Sequence, residues 1–546
     1  MMSLAHRCLP LSAALLIAAR GHPVTERTSA AISFTIPERP YNASIRHKPS
    51  FSSFSFEPAF WNDFFGNTSD PNNLTFGLID LIVQHGGQPH IRPGGITMDS
   101  MVFNESASEV VRHTSPSGGI YYTTIGPDFY ESWSLFPNVT KFVSTLNLGN
   151  DSLQIAVDEA KASVEYQAER IAFFEIGNEP NNYKTTRYDN STSAYVQQWN
   201  NWTGTIDAAV NAESPAVFPH ERWIASSATT DDTPLHVRPN DLIPAGIDSQ
   251  GNIAAYSIHS YPFSTCDPTR NALATLPNIL NHTGLLEYAV TGLYPSGKAA
   301  LDSGSKWVVG EFNSVSCSGK PNVTDTFAQA LWVIDSELIY ATLNASACFL
   351  HQGATLVFQS SDQVNTAGEN GAPGFSTYDF VYPRSGQLRG PARVLPSFAG
   401  QMFLAESFAT DGIRVKMLDA PAGVDADYFS GYAFYEAEYL SHAVFVNLKP
   451  YYENSSSDYT VELDLKDEIG RCGGGATVKR LTAPYVDTKT NEDVKWAGQS
   501  FQNGTANGKV TVERVAEDSI VSVRGSEAVL VNFKKSSWGH GQWDGW

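Results

Sequence analysis

The chain has 546 residues, a formal net charge of −21, and 42% hydrophobic and 12% aromatic residues. That apolar content is enough for a large core and excludes a disordered, collagen-like or low-complexity chain. With 57 Asp and Glu against 36 Lys and Arg, the acid excess argues against nucleic acid and highly sulfated polysaccharide, since polyanions need a basic footprint.

Met1–Arg7 is weakly basic, an apolar run follows from Leu9 to Ala19, and small residues stand near Ala18–Gly21. Together they read as a secretory signal peptide over residues 1–21. The run is too short to span a bilayer, and no later stretch reaches roughly 18 uninterrupted apolar residues. We therefore expect a secreted protein with no membrane partner. Thirteen Asn-x-Ser/Thr sequons, from Asn42 to Asn503, fit a glycoprotein of that compartment. Residues 22–50 form an N-terminal segment in which Ala31–Ile36 alternates, as an edge strand of a later β-domain would.

Residues 51–408 repeat one theme, short apolar runs alternating with segments of helical length. The strands are expected at Ser53–Phe56, Gln88–Arg92, Lys141–Asn147, Ile171–Ile176, Trp223–Ser227, Ala254–His259, Lys306–Val309 and Thr355–Phe358. Eight is the strand count of a closed (β/α)8 TIM barrel. Helical spacing marks Ser152–Arg170, Tyr195–Ala212 and Asp325–Leu343, and Pro391–Phe408 reads as a last helix after a Gly/Asn/Pro-rich loop at Ser361–Gly374. Over residues 409–536 short alternating runs separated by Gly- and Asn-rich turns predict an antiparallel β-sandwich domain. Residues 537–546 read as a flexible tail. The expected class is α/β, a TIM barrel followed by a β-sandwich.

Cys8 leaves with the signal peptide, which leaves Cys266, Cys317, Cys348 and Cys472. They contain no Cys-x-x-Cys and no clustered His, so no metal site is expected, and in an oxidising compartment one or two disulfides are.

Two segments carry the chemistry. Phe173-Phe174-Glu175-Ile176-Gly177-Asn178-Glu179-Pro180 runs an apolar strand into Asn178 and Glu179, and Lys306-Trp307-Val308-Val309-Gly310-Glu311 runs another into Glu311. They are the fourth and seventh strands, and their C-terminal ends lie at the face where barrel enzymes place catalytic groups. Two carboxylates facing across a pocket suit glycosidic cleavage: one protonates the leaving oxygen and the other, ionised, attacks the anomeric carbon.

Glu-Ile-Gly-Asn-Glu-Pro together with Gly310-Glu311-Phe312-Asn313-Ser314-Val315-Ser316-Cys317 resembles glycoside hydrolase family 79, whose best-known members are β-glucuronidases and heparanase. Further matches are Ile91-Arg92-Pro93-Gly94-Gly95, Thr124–Pro127, Thr326–Leu338 and Arg480–Pro484. The resemblance implies Glu179 as acid/base, Glu311 as nucleophile, and Asn178 as the partner of the sugar's 2-hydroxyl. Tyr261 is expected to orient the nucleophile and Arg92 to hold it ionised, with Gly94, Gly95, Ser316 and Gly353 on the substrate side. Cys266 and Cys317 follow the sixth and seventh strands at similar distances, so a disulfide between these neighbouring loops is expected.

The implied activity is that of a secreted retaining exo-β-glycosidase acting as a monomer without a cofactor. Its substrate would be terminal β-linked glucuronate, or 4-O-methylglucuronate, on plant or proteoglycan-type glycans. Where glucuronate-binding relatives are expected to carry a tyrosine after the nucleophile, Val315-Ser316-Cys317 stand here. A β-glucosidase or β-xylosidase of the same fold is therefore the alternative, and a non-catalytic carbohydrate-binding protein the alternative from another class.

Overall fold

The computed structural model describes residues 31–114, 120–214, 218–355, 374–386 and 388–535. The expected signal peptide, residues 361–373 of the Gly/Asn/Pro-rich loop, and the tail lie outside these residues. Eight parallel strands close a barrel in sequential order. They are β1 (Ser52–Phe56), β2 (His90–Arg92), β3 (Lys141–Leu146), β4 (Ile171–Ile176), β5 (Trp223–Thr229), β6 (Ile253–Ser260), β7 (Lys306–Phe312) and β8 (Cys348–Gln352).

The closing strand differs from the expected one. Cys348–Gln352 pairs with β1 from Ser52↔Cys348 to Phe56↔Gln352, so Thr355 falls after the strand and residues 356–358 lie outside the described residues. The β-branched and aromatic run Thr355–Phe358 looks more like a strand than Cys348–Gln352, which ends in two polar residues: His351 faces the barrel mouth, and Gln352, on the opposite face, accepts the Phe380 N–H at 2.7 Å. Burial of that whole segment decided the pairing.

Inside the barrel, Val143, Ile224, Ala255, Val308 and Phe349 form an apolar plug contributed by β3, β5, β6, β7 and β8. Filling of this kind makes a small barrel a packed core, not a pore. Above the plug the inward positions turn polar, with Ser55, Arg92 and Glu175 all buried. The polar layer of the barrel mouth thus begins directly above an apolar floor.

The outer helices follow the expected pattern. They include α1 (Asn73–Gln84), α2 (Leu153–Gln167), α3 (Thr192–Glu213), α4 (Tyr294–Asp302), α5 (Phe327–Thr342) and α6 (Ser397–Ser407). Asn72 caps α1 and Ser191 caps α3 with their side-chain oxygens, which satisfies N–H groups that a helix start leaves free. An excursion after β2 was not foreseen: Met101–Phe103, Val111–Thr114 and Ile120–Ile125 form a small sheet.

The C-terminal part is built of antiparallel sheets. One contains β9 (Arg414–Met417), β10 (Phe429–Glu436), β11 (Tyr439–Asn447), β13 (Gly473–Thr482) and β15 (Glu527–Lys535); another pairs β12 (Val461–Asp464) with β14 (Ile520–Val523). Between them Phe429, Tyr435, Phe445, Leu463, Val521 and Val531 share one core, which Phe34 and Ile36 of the N-terminal segment join. Ile32 bridges Leu463, a single contact where a full edge strand was expected. Within the run 509–515, Glu513–Arg514 pairs with Thr477–Val478.

Helix α5 is buried from Phe327 to Ala341 because barrel and β-domain cover opposite faces of it. Its Asp335 accepts hydrogen bonds from His282 Nδ1 at 2.9 Å and from Ser430 Oγ and Tyr432 OH at 2.7 Å. A carboxylate with three donors is tolerable in such a place, and these bonds tie the barrel to β10.

Candidate active site

Both glutamates stand where the backbone departs from regular strand geometry, Glu179 just after β4 and Glu311 within β7. Strand β4 ends in Gly177 at φ 82° and Glu179 at φ 47°. A Cβ on Gly177 would come within 2.8 Å of Leu148 Cδ2, so both conformation and space require glycine there. The left-handed conformation of Glu179, costly for a residue with a Cβ, is held by its N–H donating to the Ser227 carbonyl at 2.8 Å.

In β7 strict alternation from the inward Val308 would turn Glu311 out of the barrel. The register against β6 shifts between Val309 and Glu311, and this bulge aims the carboxylate inward. Gly310 makes the bulge possible, since a Cβ there would lie 2.0 Å from Ser257 Oγ.

The two carboxylates meet across the barrel mouth. Ligand-type atoms of Glu179, His259 and Glu311 all lie within 4.8 Å of one another. Glu311 Oε1 accepts from Tyr261 OH at 2.8 Å, and its Oε2 accepts from Arg92 Nη1 at 3.0 Å. Glu179 Oε1 is 3.0 Å from His259 Nδ1, and its Oε2 accepts from Asn182 Nδ2 at 3.0 Å. The Glu179 side chain is 19% exposed and that of Glu311 8%, so Glu179 stands nearer the opening.

Arg92 is the hub beneath. It donates to Glu175 Oε1 from Nε at 2.8 Å, to Ser55 Oγ at 2.9 Å, to Glu311, and to Asn178 Oδ1 at 3.0 Å. Burial alone would raise the Glu311 carboxyl, but His351, His259, Arg92 and the Tyr261 hydroxyl outweigh it and hold it well below the usual range. Burial pushes His351 itself down to about 4, so at pH 5 that ring is neutral. The permanently charged Arg92 and the Tyr261 hydrogen bond still hold Glu311 ionised when that ring is neutral.

A third carboxylate, Glu57, follows β1 and faces the same cavity. It accepts from the N–H groups of Ile96 and Thr97 and from the Thr97 hydroxyl. Burial and then the charge of Glu311 push it up to about 8. Glu57 and Glu311 therefore titrate far apart, with Glu57 protonated while Glu311 is ionised.

The cavity measures 590 Å³ and is lined by Glu57, Asn178, Glu179, Tyr261, Glu311 and Tyr378 among others. That volume suits a small sugar ligand. The cluster of Glu179, His259 and Glu311 is also the group among the described residues whose atoms converge as metal ligands would. The Arg92 guanidinium on Glu311 opposes a cation there.

Residues 431–530 match the glycosyl hydrolase family 79 C-terminal beta domain. A β-glucuronidase of Aspergillus niger is 28% identical, with 97% of each chain covered. The chain is a glycoside hydrolase similar to family 79. A β-glucuronidase of Neurospora crassa is 24% identical to the hydrolase over 78% of this chain and 76% of its own. Among solved structures, a 4-O-α-L-rhamnosyl-β-D-glucuronidase from Fusarium oxysporum shares the hydrolase's fold at TM-score 0.72 and 20% identity, over 92% of this chain and 100% of that one. A family 51 arabinofuranosidase from Xanthomonas axonopodis aligns at TM-score 0.56 and 13% identity, over 90% and 98%. A carbohydrate is therefore the hydrolase's substrate.

Of the residues expected at the hydrolase's site, Asn178, Glu179, Tyr261, Glu311 and Ser316 line the cavity. Gly94, Gly95 and Gly353 stand behind it. A Cβ on Gly94 would meet the Arg92 guanidinium at 2.7 Å, and one on Gly95 the Glu57 carboxyl at 2.5 Å. Gly353 donates its N–H to Asp379 Oδ1 at 3.0 Å. These glycines leave room for side chains that reach the site.

Cys266 and Cys317 form a disulfide with Cα atoms 6.0 Å apart, and both residues line the cavity. It ties the loops after β6 and β7, whose Phe263–Ser264 and Val315–Ser316 also pair. Glu57, His259, His351 and Tyr378 were not anticipated. Glu57 carries the signal that flagged Glu311, a carboxylate closing an apolar strand. Tyr378 comes from a loop far beyond β8, with nothing in the sequence to mark it.

Proposed function

We propose that this glycosidase is a secreted, retaining exo-β-glucuronidase that removes terminal β-linked glucuronate from glycans by double displacement. The observation that carries the reading is the approach of the Glu179 and Glu311 carboxylates to within 4.8 Å. Retaining pairs stand about 5 to 5.5 Å apart, whereas inverting pairs need roughly 6.5 to 9.5 Å to admit a water.

In the first step Glu311 attacks the anomeric carbon while Glu179 gives its proton to the leaving oxygen. The C1–O bond breaks, and a glycosyl ester forms on Glu311. In the second step Glu179 takes a proton from water, which attacks C1 and releases Glu311. Asn178, held by Arg92 through its Oδ1, turns its amide N–H groups to the 2-hydroxyl, a contact that strengthens in the transition state.

The sugar is assigned from two supports. The curated relatives above are β-glucuronidases, and the cavity is prepared for one added negative charge. Glu57, pushed up to about 8, contributes no second anion beside Glu311 below that pH. Ser316 and Tyr378 on the cavity wall supply hydroxyl donors for the sugar's carboxylate. The net charge of −21 favours clipping single sugars over gripping a long polyanion.

Aryl β-glycosides of glucuronate, glucose, xylose and galactose test the assignment. The glucuronide should lead in kcat/KM by about 10²-fold or more, because a site built for a polar group discriminates strongly against analogues lacking it. Turnover of another sugar with none of the glucuronide would remove the assignment.

A further inference from the structure

The acid/base sits on a backbone turn that does not hold itself. Gly177 and Glu179 both have positive φ, and Asn178 between them is buried. Its N–H has one acceptor, Asp99 Oδ2, at 3.0 Å. Asp99 comes from the turn Ile96–Ser100 that follows β2, so the contact crosses from one barrel loop to another.

The rest of the Asp99 carboxylate is used just as fully. Oδ2 also accepts from Tyr183 OH at 2.6 Å. Oδ1 accepts from the N–H groups of Leu148 and Gly149 at 3.3 and 3.1 Å. One side chain therefore fastens the loops after β2, β3 and β4 at a single point. Gly149 permits this approach, since a Cβ there would lie 2.4 Å from the Asp99 carbonyl oxygen. Tyr183 closes the far side, with its hydroxyl 3.0 Å from the place a Gly177 Cβ would take. Asp99 does not line the cavity, so its action on the substrate passes through the turn.

We propose that Asp99 is a positioning residue for the acid/base: by accepting the Asn178 N–H and the Tyr183 hydroxyl together, it sets the turn that aims Glu179 at the leaving oxygen. The inference rests on the assignment of Glu179 as acid. A carboxylate presents only acceptors to the four donors around it. An amide in its place turns an NH2 toward two of them, which leaves an N–H unpaired and lets the turn relax. Displacement of a catalytic group by about 1 Å costs about a hundredfold in rate.

The test compares Asp99→Asn, Tyr183→Phe and Glu179→Ala with the parent enzyme. It uses dinitrophenyl and methoxyphenyl β-glycosides of whichever sugar is hydrolysed fastest. A dinitrophenolate leaves without help from a proton, whereas a methoxyphenolate needs it, so kcat/KM on the pair isolates the acid's contribution. Asp99→Asn should lose roughly ten- to a hundredfold on the methoxyphenyl substrate and change little on the dinitrophenyl one. Tyr183→Phe, which leaves the carboxylate and the core intact, should shift the ratio the same way by less.

A loss equal on both substrates in Asp99→Asn and Tyr183→Phe, with Glu179→Ala showing the leaving-group dependence, would overturn the role of Asp99 alone. If Glu179→Ala shows no such dependence, the acid assignment falls and the proposal with it. Should Asp99→Asn not fold, an unchanged ratio in Tyr183→Phe refutes the proposal.

Discussion

Glu311→Ala should abolish turnover of the aryl glucuronide, and azide should restore part of it by forming a glycosyl azide of inverted configuration. The loss should approach the millionfold order seen when a covalent hydrolase loses its nucleophile. The size follows from where Glu311 stands. It is the ionised member of the pair, fixed by the Tyr261 hydroxyl at 2.8 Å and by Arg92 at 3.0 Å. Truncation removes the protein side chain that bonds to the anomeric carbon. It also opens a space on that face next to the Arg92 guanidinium, suited to a small anion. Azide entering there attacks C1 from the nucleophile's side, and with no carboxylate to displace it the product keeps the inverted configuration. Activity unchanged in the variant, or an azide product of retained configuration, would refute the nucleophile assignment.

Arg92→Met should cost about 3 to 5 kcal/mol of stability, the range for stripping one partner from a buried ion pair. It should also move the acid limb of kcat/KM to higher pH. Arg92 is 1% exposed and serves two carboxylates, Glu175 and Glu311. Methionine fills much of the volume and leaves both acids facing a thioether.

The direction of the pH effect follows from Glu311. Its carboxyl is held below the usual range in the folded enzyme. Its ionisation therefore contributes stability above the ordinary carboxylate pKa, which is lost as pH falls through the folded value. Without the guanidinium the folded value rises, so both the loss of stability and the loss of active nucleophile begin at higher pH. Denaturant unfolding at several pH values and a pH–rate profile measure the two effects. A destabilised variant with an unmoved acid limb would mean that Arg92 braces the fold without tuning the nucleophile.

The parts of the fold legible in the sequence were those in which local pattern and tertiary role agree. Strands β4 and β7 are apolar runs that end in a glycine and a carboxylate, and they read as barrel strands because both their faces are buried. Strand β8 did not read so, since His351, facing the cavity, and Gln352, bonded to the Phe380 N–H on the other face, interrupt the apolar run. Its place is fixed by pairing with β1, which local pattern does not report.

The same division holds in the site. Glu311 is marked by its strand, but its inward aim depends on a bulge at Gly310 that alternation alone would contradict. Asn178 is marked by its neighbours in sequence, whereas the groups that hold it, Arg92 and Asp99, come from elsewhere. Gly94 and Gly95 were read as substrate contacts, and the structure shows that they make room for Arg92 and Glu57. A glycine's function can lie in the side chain it admits.

Two carboxylates within 4.8 Å are placed for a double displacement, and the configuration of the first product distinguishes it from a single displacement. Proton NMR of a β-glucuronide during hydrolysis, recorded before mutarotation, should show the β-anomer of the free sugar first and the α-anomer only later. First release of the α-anomer would mean a single displacement by water and would exclude a glycosyl ester on Glu311.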